Sequence, residues 1–576
     1  MKKSGAWLVR FALEQIGVRF TFGIPGVHNT EIYDELEDSE LIRPMLVTHE
    51  GGGSFMADAI SRTSDQTGTL LIVPAAGVTH AASGIGEASL DGVPMLIISG
   101  GIRTDSGKAY QLHDIDQHSL LGPITKKTYK VETHEQIIPS IYEAYDIANE
   151  AEPGPVFVEI PVNLQLFPGE VTEPKPYIAR PKEPVLDHEA ISTAASQLYK
   201  AKRPGLFIGW GAVHASAEAM EIAEFLNAPV STTLQGLSAF PANHPLHTGM
   251  SFGKASVPAS ENAFARCDCM LAVATRFSEI ATASFGVTPP QNLVHIDINP
   301  KVFNANYPAS VAIEGDSREV LQALLEALKA LGPAHTDGGA LAASIKKDKS
   351  AYVEEWLKHD SGDRVNPARF FASLREQLDD DAIVVADDGN HTFLAAELMP
   401  IHRARGFISP TDFNSMGYCV PAVTAARLVN PDTQVVGIIG DGAFLMTCME
   451  TLTASSNDIG GVYFVFNDGE LSQISQTQQI PYNRKTCTVL KPLKVSGVAE
   501  ATGCEFISID DNASCDEGIR QALACASQNR PVIVDVRIDY SKRTRFTKGI
   551  LKTNLERFTV SNKVRFISRA LLRRVL

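Results

Sequence analysis

The 576-residue chain is too long for one hydrophobic core, and 44% hydrophobic with 20% charged residues is an ordinary globular composition. A net charge of −16 excludes a general nucleic-acid binder, which needs a basic surface. No uninterrupted apolar run reaches bilayer-spanning length and the eight cysteines are scattered, so a cytoplasmic protein with reduced thiols is expected.

In chain order, "MKKSGAWLVRFALEQIGVRF" opens the sequence. Arg10, Glu14 and Arg19 interrupt its apolar residues, so it reads as an amphipathic helix rather than a signal peptide. Short Val/Ile/Leu-rich runs then alternate with helix-length segments: "GTLLIVP", "PMLIISG" and "PVFVEIP" in residues 1–170. A Pro-rich linker, "VTEPKPYIARPKEPV", precedes a second segment, 188–332, with "PGLFIGWG", "CMLAVAT" and "LVHIDI". A charged stretch leads to a third, 362–540, with "AIVVADDG", "VVGIIGDG", "VYFVFND" and "PVIVDVRID". This alternation predicts an α/β protein of three doubly wound parallel-sheet domains. The tail, 541–576, carries eleven Lys/Arg against one acid, Glu556, a net of +10 that leaves −26 for the rest. Val560, Val564, Ile567, Leu571 and Val575 recur there at helical spacing among Arg565, Arg569, Arg573 and Arg574, which predicts a basic amphipathic helix.

The chemistry concentrates at 435–469. "TQVVGIIG" reads as a buried strand ending in Gly440-Asp441-Gly442, and "GGVYFVFN" as the next, ending at Asn467. In a parallel sheet both polar ends emerge at the edge where open α/β folds bind ligands. Asp441 and the side-chain carbonyl of Asn467 are hard oxygen donors suited to Mg²⁺, which commonly completes its shell with phosphate. A helix expected from Ala443 offers free N–H groups to that phosphate, and glycines at 440, 442 and 469 allow close approach. The expectation is a metal bridging a diphosphate to the protein.

Gly440-Asp441-Gly442, twenty-four residues, then Asn467 resembles the thiamine diphosphate (ThDP) signature. Around it, "FGIPGVHNTEIYDEL", "VTHEGGGSFMADAISR", "ASLDGVPMLIISGG", "STTLQGLSAFPANHPLHTGM", "VHIDINP", "DDGNHTFLA" and "SMGYCVPAVTAA" stand in matching order. Over nearly all of Met1 to about Tyr540 the chain is similar to the ThDP-dependent 2-oxo acid decarboxylase and acetolactate synthase superfamily. The resemblance implies pyrimidine-binding, middle and diphosphate-binding domains. It implies that Glu50 is the acid that bonds the cofactor's aminopyrimidine, and that Asp441, Asn467 and the main-chain carbonyl of Gly469 hold Mg²⁺. Asn390 and His391 resemble the pair touching the diphosphate, and Met416 the apolar wedge between the cofactor's rings. Glu50 and the metal ligands lie in different domains that face each other across subunits in this family, so a homo-oligomer, a dimer or a pair of dimers, is implied. The implied reaction decarboxylates a 2-oxo acid, pyruvate first, and joins the remaining fragment to a second carbonyl compound, as acetolactate synthase does. A simple decarboxylase, an FAD-dependent pyruvate oxidase and, from another class, a non-catalytic cofactor-binding scaffold stay open.

The sequence departs from the pattern in places. His80, in "AAGVTH", stands where the family has Asn, either facing the active site or packed. A gap-free match puts His113 where many members have a Gln near the reacting centre; a two-residue insertion restores Gln111 instead. His113, the decarboxylase-like choice, is taken as a proton relay. Gln473 replaces the Glu of decarboxylases and the apolar residue of acetolactate synthases. "GLFIGWGAV", Arg276 and Asp316 fit an FAD site only loosely, which leaves FAD open. The tail reads as a lid or subunit clamp over the acidic remainder, or as a peripheral membrane helix.

Overall fold

The computed structural model describes residues 1–180 and 186–575. The Pro-rich linker expected at 171–185 is therefore described only to 180; its last five residues lie outside the described residues.

Three six-stranded parallel sheets, each flanked by helices, build three α/β domains. The first orders its strands Arg43–Leu46, Phe20–Gly23, Gly68–Ile72, Met95–Gly101, Pro155–Pro161 and Lys127–Lys130. The third orders Phe407–Ile408, Ile383–Ala386, Val435–Gly440, Val462–Phe466, Val532–Val536 and Glu505–Ile509. By position in the chain both read 2-1-3-4-6-5. The middle sheet reads 3-2-1-4-5-6, from His247–Met250 to Val311–Glu314. What the sequence suggests is one architecture used three times is thus one topology used twice around a different one. The central strands are buried from end to end, as in Gly68–Ile72, Met95–Gly101 and Pro155–Pro161, which is why they read as continuous apolar runs rather than alternating ones. A short antiparallel pair, Lys2–Ser4 with Pro168–Glu170, ties the start of the first domain to its end.

The first and third domains share one core, in which the helix Glu50–Thr63 packs on the helix Cys419–Val429. A buried charge network runs through this seam. Arg62, 1% exposed, donates to Asp58 at 2.7 Å and Asp91 at 2.9 Å. Tyr418 from the third domain donates to Asp58 at 2.6 Å, and Glu87 accepts the backbone N–H groups of Thr411 and Ser415, both at 3.1 Å. Gln235 of the middle domain donates to the Asp91 carbonyl at 2.9 Å, so all three domains meet here. Three carboxyls face one guanidinium, and burial together with the Asp91 charge holds a proton on Glu87 well above the usual carboxylate range.

The tail forms two helices, Arg545–Arg557 and Val560–Val575. The first docks on the middle domain: Arg545 pairs with Glu261 and Arg557 donates to the Ser284 carbonyl. Phe546 is buried against Phe393, with ring centroids 5.1 Å apart. The second lies on the helix Ser472–Tyr482, where Arg574 donates to the Ile480 carbonyl at 3.3 Å and Asn483 to the Arg573 carbonyl at 3.0 Å. Much of its apolar stripe is exposed. Ala570 is buried, whereas Val560, Val564 and Leu571 are exposed; the side chains of Ile567 and Val575 lie outside the description. One bond runs each way between the two segments, each accepted by a backbone carbonyl.

Candidate active site

Four loops leave the C-terminal edge of the first sheet, and each brings a titratable side chain. The strand Phe20–Gly23 leads to His28, Arg43–Leu46 to Glu50, Gly68–Ile72 to His80 and Met95–Gly101 to His113. Glu50 is the first residue of its helix and is 6% exposed. Its Oε2 lies 2.9 Å from His80 Nδ1, which leaves Oε1 as the remaining acceptor. The His80 ring stacks on His49 with centroids 4.4 Å apart, and His49 caps the helix by accepting the Gly51 N–H. Of the two readings of His80, the structure places it at the acid, not in the packed core. His113 Nδ1 lies 3.2 Å from His28 Nδ1, so the two rings share one proton. Burial and the charge of His113 lower the pKa of His28. Gln111 is turned aside: its amide donates to the Arg103 carbonyl at 2.9 Å.

The third sheet gathers a different set at its edge. The helix after the Gly-Asp-Gly turn begins at Asp441, two residues before Ala443, and gives way at Cys448 to a tighter 3-10 turn. Asp441 starts it because its own carboxylate accepts the Gly442 N–H at 2.9 Å. The other carboxylate oxygen accepts the Gly469 N–H at 2.8 Å, closing the turn of one strand onto the turn of its neighbour. Burial and the nearby Asp468 charge push Asp441 up to about 7. Asn467 donates through Nδ2 to Asp535 at 3.1 Å, which leaves its carbonyl oxygen as the amide's acceptor. The Gly469 carbonyl already takes the Leu490 N–H at 2.8 Å and keeps one lone pair; Gly469 itself has φ 79°. His391, buried beside Gly440, is pushed down to about 3 by burial and is therefore neutral, and its Nε2 has no partner. A Cβ at Gly440 would stand 3.1 Å from the His391 ring, and one at Gly442 would stand 2.3 Å from Leu471. Asn390 is half-buried at the start of the same helix as His391. Gln473 is half-buried with an unpartnered Oε1.

Met416 sits on a loop gripped from beneath. Asp387, fully buried, accepts the N–H groups of Asp388, Gly417 and Cys419 at 2.8 to 2.9 Å. Burial pushes its carboxyl up to about 7 against those three bonds.

Two residues escaped the sequence reading. His28, the partner of His113, lies 85 positions upstream of it. Glu450 is 1% exposed and accepts Thr48 N–H and His49 N–H, both at 2.9 Å, tying the start of the Glu50 helix to the segment after Asp441. Each reads as an ordinary surface residue in sequence; the only signal is its position one loop or one helix past a strand end.

The middle sheet's edge opens into a cavity of about 380 Å³. Its two arginines are both engaged, Arg276 by Asp412 at 2.8 Å and Arg405 by Asp65 at 2.9 Å. Asp91, Glu152, Asp297 and Asp316 add negative charge, and Asp316 already caps the helix Ser317–Leu331. Among the described lining residues no unpaired cation remains for a flavin dinucleotide's pyrophosphate, so these residues fit FAD poorly.

At the third sheet's edge the donor set does fit a diphosphate and a divalent cation: carboxylate, amide and carbonyl oxygens, side-chain-free glycines, and a buried unpartnered imidazole nitrogen. The sequence matches the thiamine pyrophosphate enzyme N-terminal TPP binding domain over residues 3–120, the central domain over 191–324 and the C-terminal TPP binding domain over 387–536. The chain belongs to the thiamine pyrophosphate enzyme family. Among its relatives, the acetolactate synthase isozyme 1 large subunit of Escherichia coli is 27% identical over 94% of this chain and 95% of that protein. A probable acetolactate synthase large subunit of Methanocaldococcus jannaschii is 30% identical over 93% and 92%. A probable 2-ketoarginine decarboxylase of Pseudomonas aeruginosa is 33% identical over 82% and 83%. No helix among the described residues is long and apolar enough to cross a membrane.

Proposed function

We propose that the protein is a ThDP- and Mg²⁺-dependent enzyme that decarboxylates a 2-oxo acid, pyruvate first, and joins the remaining fragment to a second carbonyl compound. The observation that carries this reading is the closure of Asp441 onto the 467–469 turn at 2.8 Å, beside the unpartnered Nε2 of His391. ThDP, when bound, supplies the nucleophilic carbon for the 2-oxo acid and accepts the electron pair that CO₂ leaves behind. Asp441, Asn467 and the Gly469 carbonyl would hold Mg²⁺; Asn390, His391 and the N–H groups of Gly442 and Ala443 would hold the diphosphate. Glu50 would bond the aminopyrimidine ring through Oε1, with His80 fixing Oε2. Met416 would fill the space between the cofactor's rings.

Leu445, Met446, Met449 and Leu452, 38 to 58% exposed, line one face of the segment that follows Asp441. A second copy covering that apolar face would complete a dimer, or a pair of dimers, and bring one subunit's Glu50 to the other's metal loop.

A second reading, decarboxylation without ligation, is favoured by the His28–His113 pair, which can deliver a proton where a ligase needs a carbonyl acceptor. Product analysis separates the two. Pyruvate with ThDP and Mg²⁺ should give acetolactate in the first case and acetaldehyde in the second, while acetate would point to an oxidase. No product from a panel of 2-oxo acids, with ThDP demonstrably bound, would leave a non-catalytic scaffold.

A further inference from the structure

A second cavity, of about 450 Å³, lies away from both cofactor edges. Its walls are the edge strand His247–Met250, the helix Ala340–Leu357 that joins the middle and third domains, and the last turn of the helix Asn390–Leu398. That size suits a small-molecule ligand. Most of the wall is apolar, with Leu237, Val353, Met399 and Ile401 facing in.

On this wall a lysine has hydrogen-bond acceptors but no counter-ion, and the imidazole beside it has one nitrogen without a partner. Lys349 donates to the Ala242 carbonyl at 3.2 Å and lies 3.1 Å from His247 Nδ1, and no carboxylate among the described residues pairs with it. Burial lowers its amine only to about 8, so it stays mainly charged at neutral pH. Lys349 is half-buried, and a partly desolvated cation without a counter-ion is unfavourable. An ammonium can only donate, so Nδ1 of His247 accepts and its proton sits on Nε2. His247 is 5% exposed, and Nε2 has no partner. The three acids that line the cavity are engaged elsewhere, Glu354 with Lys358 at 3.9 Å. Glu397 accepts from Tyr352 and from the N–H groups of Arg545 and Phe546; Asp348 accepts from Asn262 at 2.8 Å.

A half-buried cation without a counter-ion, held by a buried imidazole at one end of a mostly apolar cavity, defines a complementary molecule. We propose that this cavity binds an aliphatic monocarboxylate, its carboxylate taken by Lys349, which His247 holds in place, and its alkyl chain by the apolar wall. The site stands whatever reaction the cofactor edges perform.

The test is calorimetric titration of the full-length protein, loaded with ThDP and Mg²⁺, with hexanoate, hexylammonium and 1-hexanol. Hexanoate should bind once per chain, and both of the others about tenfold or more weakly. Lys349→Met should weaken hexanoate binding about tenfold or more, and Lys349→Arg should restore most of it. His247→Phe provides an independent arm, expected to weaken hexanoate with Lys349 intact, should Lys349→Met fail to fold. Equal affinity for hexanol and hexanoate, unchanged hexanoate binding in folded Lys349→Met, displacement of the bound hexanoate by pyruvate, or no heat at millimolar hexanoate would each overturn the proposal.

Discussion

The first and third sheets share the strand order 2-1-3-4-6-5, yet their edges carry opposite chemistry. The first gathers His28, Glu50, His80 and His113, groups that hold and pass protons. The third gathers Asp441, Asn467 and the Gly469 carbonyl, oxygens of the kind that suit a cation, with a neutral His391 beside them. The scaffold decides where loop ends meet; the residue at each strand end decides what they do there. The middle sheet, wound 3-2-1-4-5-6, presents an acidic edge whose arginines are already paired.

The division of labour can be broken experimentally. Glu50→Gln should cut turnover by about 10² to 10⁴ while ThDP affinity moves less than about tenfold, read as 2-oxo acid consumption and calorimetric binding. A comparable loss of affinity would mean that the first edge also anchors the cofactor. Arg62→Met tests the seam that keeps the edges in register. It strands the Asp58, Asp91 and Glu87 cluster without its cation and should lose about 3–5 kcal/mol by denaturant unfolding. Asp441→Ala should show the reverse pattern to Glu50→Gln, weakening Mg²⁺-dependent ThDP binding roughly a hundredfold. His28→Phe and His113→Phe should each slow the proton-delivery step about tenfold, and the double variant no more than either, if the two rings act as one relay. A fully additive double variant would separate them.

The smallest effect concerns pH. Folding raises the Glu87 pKa from an ordinary 4.5, so above that value the folded state keeps a proton that the unfolded chain releases. Stability therefore falls as pH rises from there through the raised folded value, by at most about 1.4 kcal/mol per unit. Glu87→Gln should flatten that slope, measured as the difference in melting temperature between pH 6 and pH 9.

What was legible in the sequence were features encoded within one strand and its turn. The Gly-Asp-Gly turn, the Asn467 strand end and Glu50 at a strand-to-helix junction can be placed because parallel strands read as apolar runs that stop sharply. Partnerships across long separations were not legible. Glu450 meets Thr48 over 402 positions, and Tyr418 meets Asp58 over 360. A buried acid on a helix has the same local pattern as a solvated one, so only the fold distinguishes them. The tail divides the same way: its helical character was legible and its docking was not. Its apolar stripe is periodic, but the bonds that seat the last helix, Arg574 to the Ile480 carbonyl and Asn483 to the Arg573 carbonyl, span 94 and 90 positions.

The grip of Asp387 on the backbone around Met416 has a practical outcome. The loop is fastened through N–H groups, not through the side chain it displays, so residue 416 is an interchangeable tip on a fixed mount. If Met416 fills the space between the cofactor's rings as proposed, swapping it among apolar residues would vary that filling while the mount stays put, which makes this the natural position for tuning the cofactor's bend.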